Sequence, residues 1–515
     1  MVTAYDEVLY LGRPLAETHP DRLAALATLF GIESAPVKSC RVLELGIGDG
    51  GNLIPMAYGL PDSEFVGLDL GSRGVARAQA LADELNLKNI TLYCLDLREA
   101  PAELGVFDFI IVHGVYSWVS PEVQDHILRI CRSHLATNGV AYVSYSTYPG
   151  ARLREMIRGM MQFHSRRFSE PQEQIDQALA LVRFLASAHP GSDAYGAVLH
   201  EELESLARRR PETVYHDELS DVNAPVYFCQ FAEHAARHHL KYLGEADFSE
   251  LQDYTYPREV ADTLRRLGAK SLIDKEQYMD FLKGRRFRQT LLCHQQVGFD
   301  RRVGPERIWN LYASARVQPV SPQPDLHWAE EEFRSPEGAS LRSNHPLAKA
   351  ALLILGELWP QALHFDQLLA GARRRADVSS GDDAVLLGDV VLAAFATGLA
   401  ELHAQVPHFV VDVSARPAAS ALARLQVRTS PIVTNLRHQS VRMEDQLGRQ
   451  LLVLLDGTRD RASLLNNLAE SVCSGSVVLE REGAAVRDPE AARRILDGQL
   501  DPSLAGMARC ALLER

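Results

Sequence analysis

The chain has 515 residues, of which 46% are hydrophobic and 23% charged, and a formal net charge of −13. That length exceeds a single core and implies roughly two to four domains, while the acidic balance disfavours a nucleic-acid partner. Seven scattered cysteines without a C-x-x-C pair, no signal-peptide pattern at the start and no apolar run of about 18 residues point to a cytoplasmic protein with reduced thiols and no membrane insertion.

In chain order, Tyr5 and Tyr10 precede Thr18-His19-Pro20-Asp21, where Thr18 or His19 caps a helix whose apolar stripe is Leu23, Leu26, Ala27 and Phe30. Strand patterns at 41–45, 64–69, 90–95, 107–113 and 139–145 then alternate with helical patterns at about 52–59, 73–85 and 121–135. Such alternation predicts an α/β fold with a parallel, doubly wound sheet that binds its ligand at the carboxyl ends of the strands.

Four strand ends therefore carry the candidate residues. The first breaks into Glu44-Leu45-Gly46-Ile47-Gly48-Asp49-Gly50-Gly51-Asn52, where glycines admit a ligand to the backbone and a helix start offers free N–H groups. The second ends in Asp69-Leu70, an acid placed to meet both hydroxyls of a ribose. The third ends in Leu95-Asp96-Leu97, where Asp96 can meet an adenine amino group and the leucines its ring. The fourth ends in His113-Gly114. The acid-x-Gly-x-Gly-x-Gly turn resembles the first motif of class I S-adenosylmethionine (SAM) methyltransferases more than a dinucleotide loop. Tyr116, Trp118, Tyr145 and Tyr148 follow two of these strand ends. Singly each is explained by loop packing, and as a group they suggest a narrow channel for a substrate side chain. No acid/His cluster with ligand spacing is read from the chain, so no metal is expected.

Residues 151–215 read as a helical insertion over the site, with Arg166-Arg167 and Arg208-Arg209-Arg210 as solvated faces. An amphipathic helix from Pro225 and strands at 241–246 and 287–294 are expected to finish a seven-stranded sheet, giving a core domain of 1–300. A linker with Pro319, Pro322, Pro324 and Pro336 is expected over 301–340. Three helices and a hairpin at 402–413 suggest a winged-helix-like middle domain, 341–430, followed by a C-terminal helical domain, 431–515. A faint likeness between 359–369 and 456–465 suggests a duplicated module.

The turn Glu44–Asn52, His113-Gly114-Val115-Tyr116-Ser117-Trp118-Val119, Ser144-Tyr145-Ser146-Thr147-Tyr148-Pro149-Gly150, Tyr5-Asp6-x-x-x-Tyr10 with Thr18-His19-Pro20, and Phe287–His294 together resemble bacterial class I methyltransferases with a methyltransferase regulatory domain. That group includes the outer-membrane-protein lysine methyltransferases. The resemblance spans nearly the whole chain, strongly over 1–300 and loosely after 340. It implies SAM as cofactor, S-adenosylhomocysteine as product, a SAM-binding core followed by middle and C-terminal domains, and a homodimer. Glu44 would belong to the cofactor site, and Gly46, Gly48 and Asn52 would face the methionine moiety. Asp69 and Leu70 would meet the ribose, Asp96 and Leu97 the adenine, and His113 the cofactor edge. Ile47 replaces a cysteine common in relatives and Ser146 an asparagine, which puts side-chain recognition at 146 in doubt. The expected activity is methyl transfer to protein lysine, with Tyr116, Trp118, Tyr145 and Tyr148 as the catalytic candidates. The alternatives are a small-molecule O- or N-methyltransferase and a SAM-binding regulator or scaffold.

Overall fold

Pro20–Leu29 (α1) starts at His19, whose Nδ1 accepts the Asp21 N–H at 3.2 Å, and Pro20 fills the first turn. The computed structural model describes residues 7–515 except 190, 192, 254, 255, 378, 379, 482 and 483, so Tyr5 and Asp6 lie outside the described residues.

Arg41–Leu45 (β1) is buried from Val42 onward, as a central strand covered on both faces must be. It leads through the glycine turn into Leu53–Gly59 (α2), then Glu64–Asp69 (β2), Ser72–Glu84 (α3), Ile90–Cys94 (β3), Phe107–Val112 (β4), Pro121–His134 (α4) and Leu135–Ser146 (β5). Each expected strand and helix of this half is present, with ends shifted by one residue or fewer except at β5. That strand begins four residues early, running through Asn138-Gly139, because a register shift between Phe107 and Phe109 of β4 accommodates it.

Ala151–Ser165 (α5), Pro171–Ala188 (α6), Ala194–Ala207 (α7) and a π turn at Tyr215–Leu219 form the helical insertion. Phe228–Arg237 (α8), Leu240–Glu245 (β6), Arg258–Gly268 (α9), Leu272–Lys283 (α10) and Phe287–His294 (β7) complete the sheet. Its order is β3-β2-β1-β4-β5-β7-β6, with β7 antiparallel to both β5 and β6 and the rest parallel. Strand order reverses between β1 and β4, so the turns after these two strands face one crevice. Arg288 on β7 is fully buried; its guanidinium donates to Glu245, Glu276 and Asp280 and lies 3.9 Å above the Phe228 ring.

The stretch expected as a linker is built into the fold. Gln318–Pro319, Glu331–Arg334 and Ser340–Ser343 form a three-stranded sheet, and Phe333 is fully buried. Tyr312–Ser314 pairs on one side with Leu363–His364 and on the other with Glu401–His403. This pairing replaces the hairpin expected at 402–413, since Tyr312–Ser314, from far upstream, supplies the partner strand. Strands of two to four residues carry too little alternation to be seen in a sequence. Helices Pro346–Leu358, Phe365–Ala376 and Asp383–Ala396 lie where the periodicity predicts them, and they share one continuous core with α1 and β1.

A second core starts at Ala419 and ends at Leu513. It gathers Ala421–Gln426, the hairpin Ile432–Thr434/Ser440–Arg442, Gln446–Leu454, Arg461–Cys473 and Pro489–Arg509.

Candidate active site

Gly46, Gly48 and Gly50 all have positive φ, a backbone few L side chains adopt, and a Cβ on Gly46 would lie 2.3 Å from the Val115 side chain. The turn is fixed from the next strand. Asp69 Oδ2 accepts the Gly48 N–H at 2.8 Å and Oδ1 accepts the Gly71 N–H at 2.7 Å. One carboxylate thus aligns the turns after β1 and β2. Asp49 draws in the N-terminal segment, accepting the Gly12 N–H at 2.8 Å.

These turns open on a cavity of about 560 Å³. Of the residues singled out in the sequence, Gly46, Gly48, Asp69, Leu70, Asp96, Leu97 and His113 line it, as do Gly114 and Trp118. A Cβ on Gly114, at φ +66°, would meet nothing within 4 Å. The His113 ring is half-buried in the cavity wall, and its desolvation pushes its pKa down to about 4 and keeps the imidazole neutral; its Nδ1 lies 3.0 Å from the Tyr142 hydroxyl. Arg98 holds the Asp96 carboxyl below its usual range through paired contacts at 3.1 and 2.7 Å.

Two expected cofactor residues do not line the cavity. Asn52 is buried behind the turn: its Nδ2 donates to Glu44 Oε1 at 2.8 Å, and its Oδ1 accepts from the Leu15 N–H and from His438 Nε2, both at 2.9 Å. Glu44 is buried with Oε2 unpartnered, and burial pushes its pKa up to about 7. Their polar atoms are committed to one another and to distant chain, which a local motif does not reveal.

Three of the four aromatics are also displaced. Tyr145 stacks on Phe231 with centroids 4.1 Å apart, and Tyr116 meets the same ring edge-on at 5.1 Å. Both are buried between β5 and α8. Side chains alternate along β5, so Ser146 lines the cavity while Tyr145 turns to the opposite face. Tyr148 lies outside the lining, donating its hydroxyl to Glu155 at 2.7 Å beneath the Arg152 guanidinium. Only Trp118 of the four reaches the cavity wall.

The insertion supplies the cover. Arg154, Glu155 and Arg158 of α5, with Arg209 and Asp217, line the outer wall. Of the two arginine runs, Arg166, Arg167 and Arg208 are exposed as expected, whereas Arg209 pairs with the buried Glu218, which Arg154 of α5 also reaches at 2.6 Å together with Asp217 at 3.2 Å. His216 Nε2 meets the Val8 carbonyl at 2.6 Å and Arg210 donates to the Leu11 carbonyl at 2.6 Å, strapping the N-terminal segment across the opening with Tyr10 in the wall. The acids at 217–218, seven to eight residues from the arginine run, were the sequence signal for this cover.

Outside the cavity the fold brings Asp125 together with His234 and His238, an acid/His cluster whose acid the sequence does not reveal because it lies on a helix about 110 residues before the one that carries the two histidines.

Three family models match the chain: a methyltransferase domain over residues 42–139, a predicted methyltransferase regulatory domain over 210–294, and a PKMT C-terminal winged helix domain over 415–512. An uncharacterised Rickettsia prowazekii protein is 32% identical over 523 aligned residues, covering 99% of this chain and 93% of its own. The structure of PKMT2 from Rickettsia typhi in complex with AdoHcy superposes with a TM-score of 0.88 at 27% identity, covering 98% of this chain and 100% of that one. The chain belongs to this family of SAM-dependent methyltransferases. The methyltransferase has its winged helix at 415–512, the second core, whereas the sequence pattern suggests a winged-helix-like unit at 341–430. No helix among its described residues is long and apolar enough to cross a membrane.

Proposed function

We propose that the enzyme methylates the ε-amine of lysine in a protein, with SAM bound along the strand ends. The residues fit this cofactor. Asp69 offers carboxylate lone pairs to ribose hydroxyls, Leu70 and Leu97 an apolar slot for adenine with Asp96 at its edge, and the Gly46–Gly48 backbone a close approach for the methionine part. When bound, SAM supplies a sulfonium methyl open to in-line displacement.

The chain's own residues then have to hold the acceptor and keep water out. A lysine amine, which ordinarily titrates at about 10.4, must shed its proton before it attacks, and desolvation favours the neutral form. The observation that carries the lysine reading is the outer wall. Trp118 faces the same cavity as the cofactor residues and offers a ring face to a lysine's alkyl stem and amine, while Glu155 and Asp217 beside it are held by Tyr148 and Arg152 and by Arg154. The whole-length likeness to PKMT2 supports it. All seven cysteines are free thiols, which supports a reducing, cytoplasmic setting.

The test is incubation of the full-length enzyme with radiolabelled SAM, a host protein extract and a panel of small amines, acids and alcohols. Label recovered on lysine side chains by mass spectrometry is the expected result. Label confined to small molecules would overturn the reading in favour of biosynthetic methylation, and SAM binding without any transfer would favour a regulator.

A further inference from the structure

The methyltransfer chemistry makes no use of the cluster formed by Asp125 on α4 and the pair His234 and His238, one helical turn apart at the end of α8. His238 Nε2 lies 2.8 Å and His234 Nε2 3.4 Å from the same oxygen, Asp125 Oδ1. The three donor atoms all fall within 4.8 Å of one another. Around a tetrahedral ion with bonds of about 2.0–2.1 Å, ligand atoms stand about 3.4 Å apart, so the cluster needs only small side-chain adjustments to close on one.

Two neighbours hold the donors in the state a metal requires. The Tyr116 hydroxyl sits 2.7 Å from His234 Nδ1, where its oxygen can accept a hydrogen bond from the Nδ1–H and leave the Nε2 lone pair facing Asp125. Arg129 donates to Asp125 Oδ2 at 2.7 Å, which turns Oδ1 toward the imidazoles. Asp125 keeps 40% of its side-chain exposure, leaving room for water to complete the coordination.

We propose that Asp125, His234 and His238 bind a divalent transition-metal ion, with Tyr116 as the outer-shell residue that orients His234. Two imidazoles and one carboxylate select Zn²⁺, Co²⁺ or Ni²⁺ over Mg²⁺ or Ca²⁺. The ion clamps α8 to α4. Through Tyr116 it also fixes the turn that carries Trp118 into the active-site wall. The aromatic first expected in the substrate channel would thus act from behind it.

Untagged, chelator-stripped full-length enzyme is titrated with Zn²⁺ against a chromophoric chelator, and with Co²⁺ by visible absorption. One ion per chain is expected, with a tetrahedral Co²⁺ spectrum. His238→Ala should weaken Zn²⁺ binding by about 100-fold or more, and Tyr116→Phe by about 10-fold. His126→Ala, a half-buried histidine on α4 outside the cluster, should leave it unchanged. Asp125→Asn repeats the test with little change in shape should His238→Ala not fold. Absence of a stoichiometric ion in the wild type, or equal affinity in a folded His238→Ala or Asp125→Asn variant, would overturn the proposal.

Discussion

At Glu44 a carboxyl lies buried beneath the glycine turn, bonded at Oε1, unpartnered at Oε2, and titrating near neutrality. Unfolded, the same group titrates near 4.5, so burial raises its pKa to about 7. Between those values the folded state holds a proton that the unfolded state has lost. Stability contributed at this site is therefore intact at low pH, falls as pH rises from about 4.5 to 7, and then levels off. Glu44→Gln removes the titration. Its stability relative to wild type should grow between pH 5 and 8, by up to about 3 kcal/mol. Urea unfolding of both proteins across that range checks this, and parallel pH profiles would place the effect elsewhere. Asp69 makes a different demand, since its oxygens hold two backbone N–H groups in two turns. Charge-assisted bonds of this kind contribute about 1.5–3 kcal/mol each, so Asp69→Ala should weaken SAM binding at least about 10-fold by calorimetry while far-UV circular dichroism is retained. Strand-end residues such as Asp69, Asp96 and His113 were legible because a doubly wound sheet sends them all to one crevice. Tyr145 was not, because strand alternation says that neighbours part company without saying which face holds the ligand, and Tyr116 was not, because the single turn Tyr116–Trp118 that carries it is too short for a periodicity.

At the scale of elements, β7 is sewn between β5 and β6 through one buried guanidinium. Arg288 answers Glu245, Glu276 and Asp280, all buried, and burial, with the charge of Glu245 beside it, pushes the Glu276 and Asp280 carboxyls above their usual range. Removing the arginine takes the counter-charge from Glu245 and Glu276 and leaves Asp280 with Arg285 alone, 3.1 Å away. Arg288→Leu should cost on the order of 3–5 kcal/mol in urea unfolding, while Arg152→Leu, an exposed pair partner of Glu155, should stay within about 0.5 kcal/mol. An unchanged midpoint in Arg288→Leu would refute the counter-charge account. Long strands and helices of the first 150 residues could be read to within a residue or so because burial repeats over several turns. The short strands at 312–343 could not, since Phe333 and Ala313 owe their burial to partners far along the chain.

Across the whole molecule, the winged helix is joined to the cofactor turn by the tip of its hairpin. Asn435 shapes that tip by accepting the Arg437 and Gln439 N–H groups, and His438 takes a positive φ there. Arg437 then lies 4.0 Å over the Trp359 ring and pairs with Glu401, while His438 reaches Asn52. Burial pushes the His438 pKa well down, so the ring is neutral, and because Asn52 presents a carbonyl oxygen its proton must reside on Nε2. The chain Glu44–Asn52–His438 thereby links the glycine turn to a residue 386 positions away from Asn52, a separation over which no local pattern exists. His438 lies outside the cavity lining, so a purely local cofactor site would be indifferent to it. If the hairpin tip sets the position of Asn52, His438→Ala removes one of the hydrogen bonds that hold the Asn52 carbonyl, leaves that from the Leu15 N–H, and loosens the turn. One buried neutral hydrogen bond is worth about 1 kcal/mol, so SAM affinity should fall about fivefold with the second core still folded. Calorimetric binding measured beside thermal unfolding separates the cases: equal SAM affinity in a folded His438→Ala enzyme would mean that the winged helix touches the turn without governing it.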